Sequence, residues 1–78
     1  MDHSETEVRI RSILQRVAHV DGAYGESADL FRDLGVKSIA ALDLLLSLEE
    51  EFGVSIADEA FGQARSLAAL VSLVEALR

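Results

Sequence analysis

Seventy-eight residues suffice for one small domain, and we expect residues 1–78 to form a single domain. A chain this short buries only somewhat more than ~60% of its unfolded surface when it folds, so we expect a modest core. Half of the residues are hydrophobic, which argues against disorder, and the absence of cysteine excludes disulfides and thiolate metal sites. Fourteen acidic residues against seven basic ones give a net charge of −7, which disfavours nucleic-acid binding and favours basic partners or simply solubility.

The N-terminal segment is acidic where the start of a secretory signal peptide would be basic, so we expect no signal peptide. No uninterrupted apolar run is long enough to cross a membrane. These features predict a soluble, cytoplasmic protein without a membrane partner.

The first segment, from Ser4 to about His19, predicts an amphipathic helix. Ser4 and Glu7 have the spacing of a capping box, in which each side chain satisfies the backbone donor of the other residue. An apolar stripe follows at helical spacing and indicates the buried face. The stripe consists of Ile10, Ile13, Leu14 and Val17.

A loop of about 18 residues, from Val20 to Lys37, separates this helix from the next. Loops of that length are uncommon in small domains and are often functional. Leu30, Phe31 and Leu34 are expected to pack into the core and hold the end of the loop. The turn-forming or helix-breaking residues in it are Gly22, Gly25, Ser27 and Asp29.

The remaining sequence predicts three more helical segments and no strand, because nothing alternates with a period of two. A helix from Ser38 to about Phe52 has Ser38 as its N-cap and Gly53 as the left-handed residue after its last turn. A short turn over Ile56–Phe61 follows, capped by Ser55 or Asp58. The last helix starts at Ser66 as cap and carries the stripe Leu67, Leu70, Val71, Val74 and Leu77. The fold class is therefore all-α, a bundle of three main helices plus a short fourth.

The second helix carries two apolar arcs. One arc is a core face (Ala41, Leu44, Leu45, Leu48 and Phe52), and the other lies among acidic residues. From the helical wheel alone, the second arc is either an exposed partner-binding strip or the edge of a broad buried face. This second arc comprises Ile39, Leu42 and Leu46, with Asp43, Glu49 and Glu50 beside it.

Residues 33–39 read Asp-Leu-Gly-Val-Lys-Ser-Ile and resemble the attachment motif of acyl and peptidyl carrier proteins. That family's pattern is Asp-Leu-Gly, a variable residue, and then usually Asp-Ser-Leu. The likeness continues through residues 48–53, Leu-Glu-Glu-Glu-Phe-Gly, and residues 56–59, Ile-Ala-Asp-Glu. Length, acidity, the long first loop and the helix order agree with the family as well.

The resemblance implies that Ser38 receives 4'-phosphopantetheine from coenzyme A through a separate magnesium-dependent transferase. The chain would then be a carrier and not an enzyme: it would hold acyl or aminoacyl groups as thioesters. Its partners would be a phosphopantetheinyl transferase, an activating ligase or synthase, and a downstream transferase, and a monomer is expected. The residues implied to face partners are Asp33, Lys37, Ile39, Leu42, Asp43, Leu46, Glu49 and Glu50.

Two departures from the family pattern suggest a specialised carrier, with an aminoacyl carrier as a candidate. Lys37 replaces the usual aspartate before the serine, and Ala57 replaces a common proline. Other interpretations of the chain remain: Ser38 as a plain helix cap, and the whole chain as an unmodified helical adaptor that binds a partner through its acidic second helix. His3 and His19 do not have metal-ligand spacing, so no metal site is expected.

Overall fold

The computed structural model describes residues 2–21 and 23–78, and these residues form helices, turns and loops without a strand. The helices are α1 (His3–Ala18), α2 (Ser38–Phe52), α3 (Asp58–Gln63) and α4 (Leu67–Leu77). α1 packs against both α2 and α4, and the short α3 packs against α4. The predicted all-α bundle with a long loop after its first helix is confirmed. Gly22, predicted as a helix breaker, lies outside the described residues.

α1 begins one residue earlier than predicted because Asp2, and not Ser4, caps it. The Asp2 Oδ1 accepts a hydrogen bond of 2.8 Å from the backbone N–H of Glu5. The Asp2 carbonyl oxygen accepts from both the N–H and the hydroxyl of the buried Thr6, each at 3.1 Å. The capping box of Ser4 and Glu7 is therefore wrong: Asp2 is an equally good capping residue two positions earlier, and it leaves Ser4 inside the first turn.

The core lies where the apolar faces of α1, α2 and α4 meet. Leu30 from the loop enters this core and is completely buried. Two members of the predicted stripes are less buried than expected: Val17 is only partly buried, and Leu77, in the final turn of α4, is 43% exposed. The completely or almost completely buried apolar residues are Ile10, Ile13, Leu14, Leu30, Leu44, Leu48, Leu67, Leu70, Val71 and Val74.

The predicted N-caps of α2 and α3 are wrong, whereas the predicted N-cap of α4 is confirmed. α3 follows Ala57, and neither Ser55 nor Asp58 caps it, because the carbonyl oxygen of Ala57 accepts the N–H of Phe61 directly at 3.0 Å. At α4 the Ser66 Oγ accepts the N–H of Ala69 at 3.1 Å.

Among the described helices none combines the length and apolar character needed to cross a bilayer.

Candidate functional site

Ser38 is the first residue of α2 and is exposed to solvent. The N-cap position belongs to Lys37, whose backbone is extended, so Ser38 is not a capping residue and that prediction is wrong. The first turn closes through the Lys37 carbonyl oxygen, which accepts the N–H of Ala40 at 2.9 Å. Within residues 2–21 and 23–78 no hydrogen bond engages the Ser38 hydroxyl. The hydroxyl is therefore free for an external enzyme, beside helix N–H groups that lack intrahelical acceptors.

The backbone just before Ser38 is fastened to the core. Gly35 has a φ of 73°, the left-handed conformation that favours glycine, and this turns the chain towards α2. Val36 is buried, and its N–H donates to the carbonyl oxygen of Leu30 at 2.9 Å. The N–H of Leu30 in turn donates to the carbonyl oxygen of Arg65 at 2.7 Å. The expectation that Leu30 holds the end of the loop is confirmed, and Ser38 projects from a fixed support.

A second fastening is the carboxylate of Asp29, which sequence analysis assigned only as a turn residue. It accepts the backbone N–H groups of Phe31 and Arg32 at 2.9 and 2.8 Å and pairs with the Arg65 guanidinium at 2.8 Å. The Asp33 carboxylate completes the turn by accepting the N–H of Asp29 at 2.9 Å. Hydrogen bonds from Arg65, then from the backbone, lower the pKa of Asp29 from 3.8 to about 2.

The Asp29 carboxylate predicts a pH-dependent stability of this loop. A carboxyl with a lowered folded pKa stabilises the protein above its ordinary pKa, and that contribution disappears as the pH falls from about 4 to about 2. We expect Asp29→Asn to lower the free energy of unfolding at neutral pH. As the pH falls from about 4 to about 2, this free energy should decrease less in the variant than in the wild type. Urea unfolding at each pH measures the free energy for both proteins. Asp21→Asn, at an exposed position without a recorded carboxylate contact, is the control and should follow the wild type.

The two interpretations of the second apolar arc are separated by exposure. Ile39 is 84% exposed, Leu42 62% and Leu46 51%, so the arc is a surface and not the edge of the core. We call these three residues the α2 strip. The other arc is the core face as predicted for Leu44, Leu45, Leu48 and Phe52, which are buried, whereas its predicted member Ala41 is only partly buried. Asp43 and Glu50 are exposed beside the strip, so an apolar surface rimmed by acids is present.

Glu49 has a structural role that sequence analysis missed. Its Oε2 accepts the backbone N–H of Ile56 at 2.8 Å and thereby ties the end of α2 to the segment before α3. Gly53 makes this turn possible, since its φ of 63° is left-handed as predicted. Glu51 is engaged as well, through the guanidinium of Arg9. Of the three consecutive acids, only Glu50 has no recorded contact within the described part of the chain.

Removing the Glu49 carboxylate is expected to destabilise the fold. Ile56 is buried, and Glu49→Ala would leave its N–H without an acceptor, at a cost of about 1–3 kcal/mol in the free energy of unfolding. Glu49→Gln keeps an acceptor oxygen and should recover most of that loss. Urea denaturation compares these variants with Glu50→Ala, which should change stability by less than about 0.5 kcal/mol. Equal effects of Glu49→Ala and Glu50→Ala would contradict this role.

A groove of about 430 Å³ lies between the end of α1 and the start of α2, and it is lined by both chain neighbours of Ser38 but not by Ser38 itself. Lys37, the only lysine of the chain, stands at this groove and makes no ion pair within the described residues. We call this cavity between α1 and α2 the α1–α2 groove. Its walls are residues 17–19, residues 34–35, and Lys37, Ile39, Ala40 and Asp43.

The described residues contain no group of three or more His, Asp or Glu side chains placed to hold a metal ion. His3 instead contacts Glu75 at 3.2 Å, and His19 ends α1 in the left-handed conformation. Across this part of the chain, the site thus consists of an exposed serine, a free lysine, a groove and an acid-rimmed apolar strip.

Comparison with known proteins places this arrangement in a family. Residues 8–74 match the family model described as "Phosphopantetheine attachment site". The chain is 38% identical over 77 residues to "Acyl carrier protein 2" of Ralstonia nicotianae, covering 95% of each chain. It is 29% identical over 73 residues to "Acyl carrier protein" of Trieres chinensis, covering 92% of this chain and 91% of the relative. It is 32% identical over 71 residues to "Acyl carrier protein, mitochondrial" of Dictyostelium discoideum, covering 88% of this chain but only 59% of that longer relative.

Proposed function

The chain belongs to the phosphopantetheine-attachment family of carrier proteins, and from this premise we propose that Ser38 is the attachment site. The observation that carries the proposal is the position of Ser38, exposed and without a hydrogen bond at the first residue of α2, directly after the Asp-Leu-Gly segment. Members of the family are carriers and not enzymes, in agreement with the expectation from the sequence. Residues 1–78 are proposed to act as one carrier domain.

Ser38 acts as the nucleophile supplied to another protein's active site. Its oxygen attacks the phosphorus of coenzyme A that bears the pantetheine, an oxygen–phosphorus bond forms, and the anhydride bond to the adenosine nucleotide breaks. The hydroxyl proton passes to a base of the transferase, because within the described residues no base contacts this hydroxyl. The attached group supplies a terminal thiol on which acyl or aminoacyl groups are held as thioesters.

The chain contributes position and charge to this chemistry. The amino-terminal end of α2 carries a partial positive charge that suits the phosphodiester, and Lys37 adds a full one. An aspartate before the serine, which is the usual family residue, would add a negative charge there instead. We propose on this basis a specialised carrier, with an aminoacyl group as the first cargo to test. Its proposed partners are a phosphopantetheinyl transferase, an activating ligase or synthase, and a downstream transferase. The carrier is proposed to meet each of them as a monomer, and its cytoplasmic location stays a prediction.

Partners are proposed to dock on the α2 strip, where apolar contact is combined with acidic steering. Such charges mainly accelerate encounter and fix register, and salt screens them. Asp43→Lys with Glu50→Lys is expected to weaken the association with the transferase about tenfold or more at low salt and much less at high salt. Surface-binding measurements of Kd at two salt concentrations test this. Glu49 is left unchanged, since its carboxylate also holds Ile56.

The matched control is Glu5→Lys with Glu26→Lys, which changes the net charge equally. These exposed residues lie at the start of α1 and in the loop before α2, outside the α2 strip. If both pairs of substitutions weaken binding to the same extent, net charge alone is responsible and the α2 strip is not the docking surface.

A further inference from the structure

We propose that Lys37 selects the enzymes that act on Ser38: a partner of this chain presents a carboxylate to Lys37, together with basic residues that face Asp43 and Glu50. The inference rests on the proposed attachment at Ser38 and adds the charge pattern that the partner surface must have. A partner with a basic residue facing position 37, which would suit the usual family aspartate, is disfavoured by like-charge repulsion.

Lys37 occupies a position in the fold that does not favour lysine. It is the N-cap of α2, and its side chain makes no capping hydrogen bond. Aspartate is among the preferred N-cap residues, whereas a cation opposes the partial positive charge at this end of a helix. No contact within the described part of the chain compensates, because Lys37 is exposed and forms no ion pair there. The fold therefore gives no reason for this charge, and the charge is available to a partner.

Any enzyme that encloses the hydroxyl of Ser38 also meets the charge of Lys37. The two residues are consecutive, so their Cα atoms are about 3.8 Å apart, and both residues are exposed. This separation is well within the Debye length of about 8 Å at physiological ionic strength, so salt does not screen the charge from groups that surround Ser38. Lys37 is thus placed to affect every reaction at Ser38.

The acidic residues near Lys37 do not cancel its charge. The Asp33 carboxylate accepts a backbone N–H at 2.9 Å and pairs with Arg32 at 3.3 Å. Asp43 lines the α1–α2 groove together with Lys37 but forms no ion pair with it. At a rise of 1.5 Å per residue, the charges along α2 run from positive at Lys37 to negative at Asp43 and Glu50 over roughly 20 Å. A complementary partner surface carries the opposite order of charges.

Rates of transfer onto charge variants test the proposal. The probe is a phosphopantetheinyl transferase whose own carrier has aspartate before the serine, and kcat/KM with coenzyme A and magnesium is followed by intact mass. We expect Lys37→Asp to have a kcat/KM at least tenfold higher than the wild type at low salt, with Lys37→Gln between them. The difference should shrink at high salt, because salt screens the repulsion.

The matched control is Arg16→Asp, which makes the same change of charge at an exposed position on α1. Arg16 does not line the α1–α2 groove, so this variant should react like the wild type. Both Lys37 substitutions replace an exposed N-cap side chain and should leave the fold intact, which circular dichroism verifies.

Charge reversal on the transferase identifies the pairing. Each basic residue at the rim of its active site is changed in turn to glutamate, and one of these variants should prefer the wild-type chain over Lys37→Asp by at least tenfold. Equal rates for all Lys37 variants, or the absence of any such reversal, overturn the proposal. So does a decrease of kcat/KM from wild type through Lys37→Gln to Lys37→Asp with the parent transferase, which would mean that Lys37 acts on the phosphates of coenzyme A. If neither the wild type nor Lys37→Asp is modified at all, the attachment site at Ser38 is overturned together with this proposal.

Discussion

Ser38→Ala is expected to abolish modification of the chain completely while leaving its helices intact. The reason for the complete loss is chemical: alanine has no oxygen to form the bond to phosphorus. Neither chain neighbour of residue 38 carries a hydroxyl that could react in its place. The reason for the intact fold is structural: Ser38 is exposed and its hydroxyl makes no recorded hydrogen bond. Stability should therefore change by less than about 0.5 kcal/mol. Intact mass after incubation with coenzyme A, magnesium and a transferase measures the first effect, and urea unfolding the second.

Ser55→Ala is the matched control, because it removes an exposed hydroxyl from the segment between α2 and α3. This variant should be modified like the wild type. Modification retained in Ser38→Ala would remove Ser38 from the account and direct the search to another hydroxyl. An unfolded Ser38→Ala would show instead that this serine supports the fold.

Leu30→Ala is expected to cause the largest loss of stability among the substitutions considered. Leu30 is completely buried although it lies in the long loop, and its backbone connects Val36 to Arg65. Truncating a buried leucine typically costs about 2–5 kcal/mol, because the cavity that it leaves does not close fully. A domain of this size has a free energy of unfolding of roughly 4–12 kcal/mol, so the variant should be marginal. Urea unfolding followed by far-ultraviolet circular dichroism measures the change.

Leu42→Ala is the appropriate comparison, since Leu42 is 62% exposed on the α2 strip. It should cost no more than about 0.5 kcal/mol. The account requires a clear difference between the two leucines: the first holds the loop that supports Ser38, and the second is free for a partner. Similar losses in both variants would contradict the burial of Leu30 or the exposure of Leu42.

Helical periodicity was sufficient to predict the helices and most of the core. Leu30, Phe31 and Leu34 were predicted to pack inward from the loop, and Leu30 is completely buried while the other two are partly buried. The wheel of α2 left its second arc ambiguous, because periodicity identifies faces but not which face a neighbouring helix covers. Packing of α1 on α2 leaves Ile39, Leu42 and Leu46 uncovered.

Sequence analysis missed two kinds of feature. The first is contacts between residues that are distant in the chain, and the second is helix caps for which two neighbouring residues were candidates. Asp29 and Arg65 are 36 residues apart, and no local pattern indicates that they pair. The carboxylate of Glu49 turns back to the N–H of Ile56 because Gly53 reverses the chain between them. Caps were predicted from residue preference alone, and this failed wherever a backbone carbonyl or an earlier residue took the position, as at Asp2 and Lys37.

The most direct test of the central claim is the intact mass of the folded wild-type chain after incubation with coenzyme A, magnesium and a broad-specificity phosphopantetheinyl transferase. A known carrier protein in the same reaction verifies that the transferase is active. The account predicts a gain of one phosphopantetheine that maps to the peptide containing Ser38. No gain with several active transferases would contradict the account and would favour an unmodified helical adaptor. Lys37→Asp would then be the first variant to test, because aspartate is the usual family residue at this position.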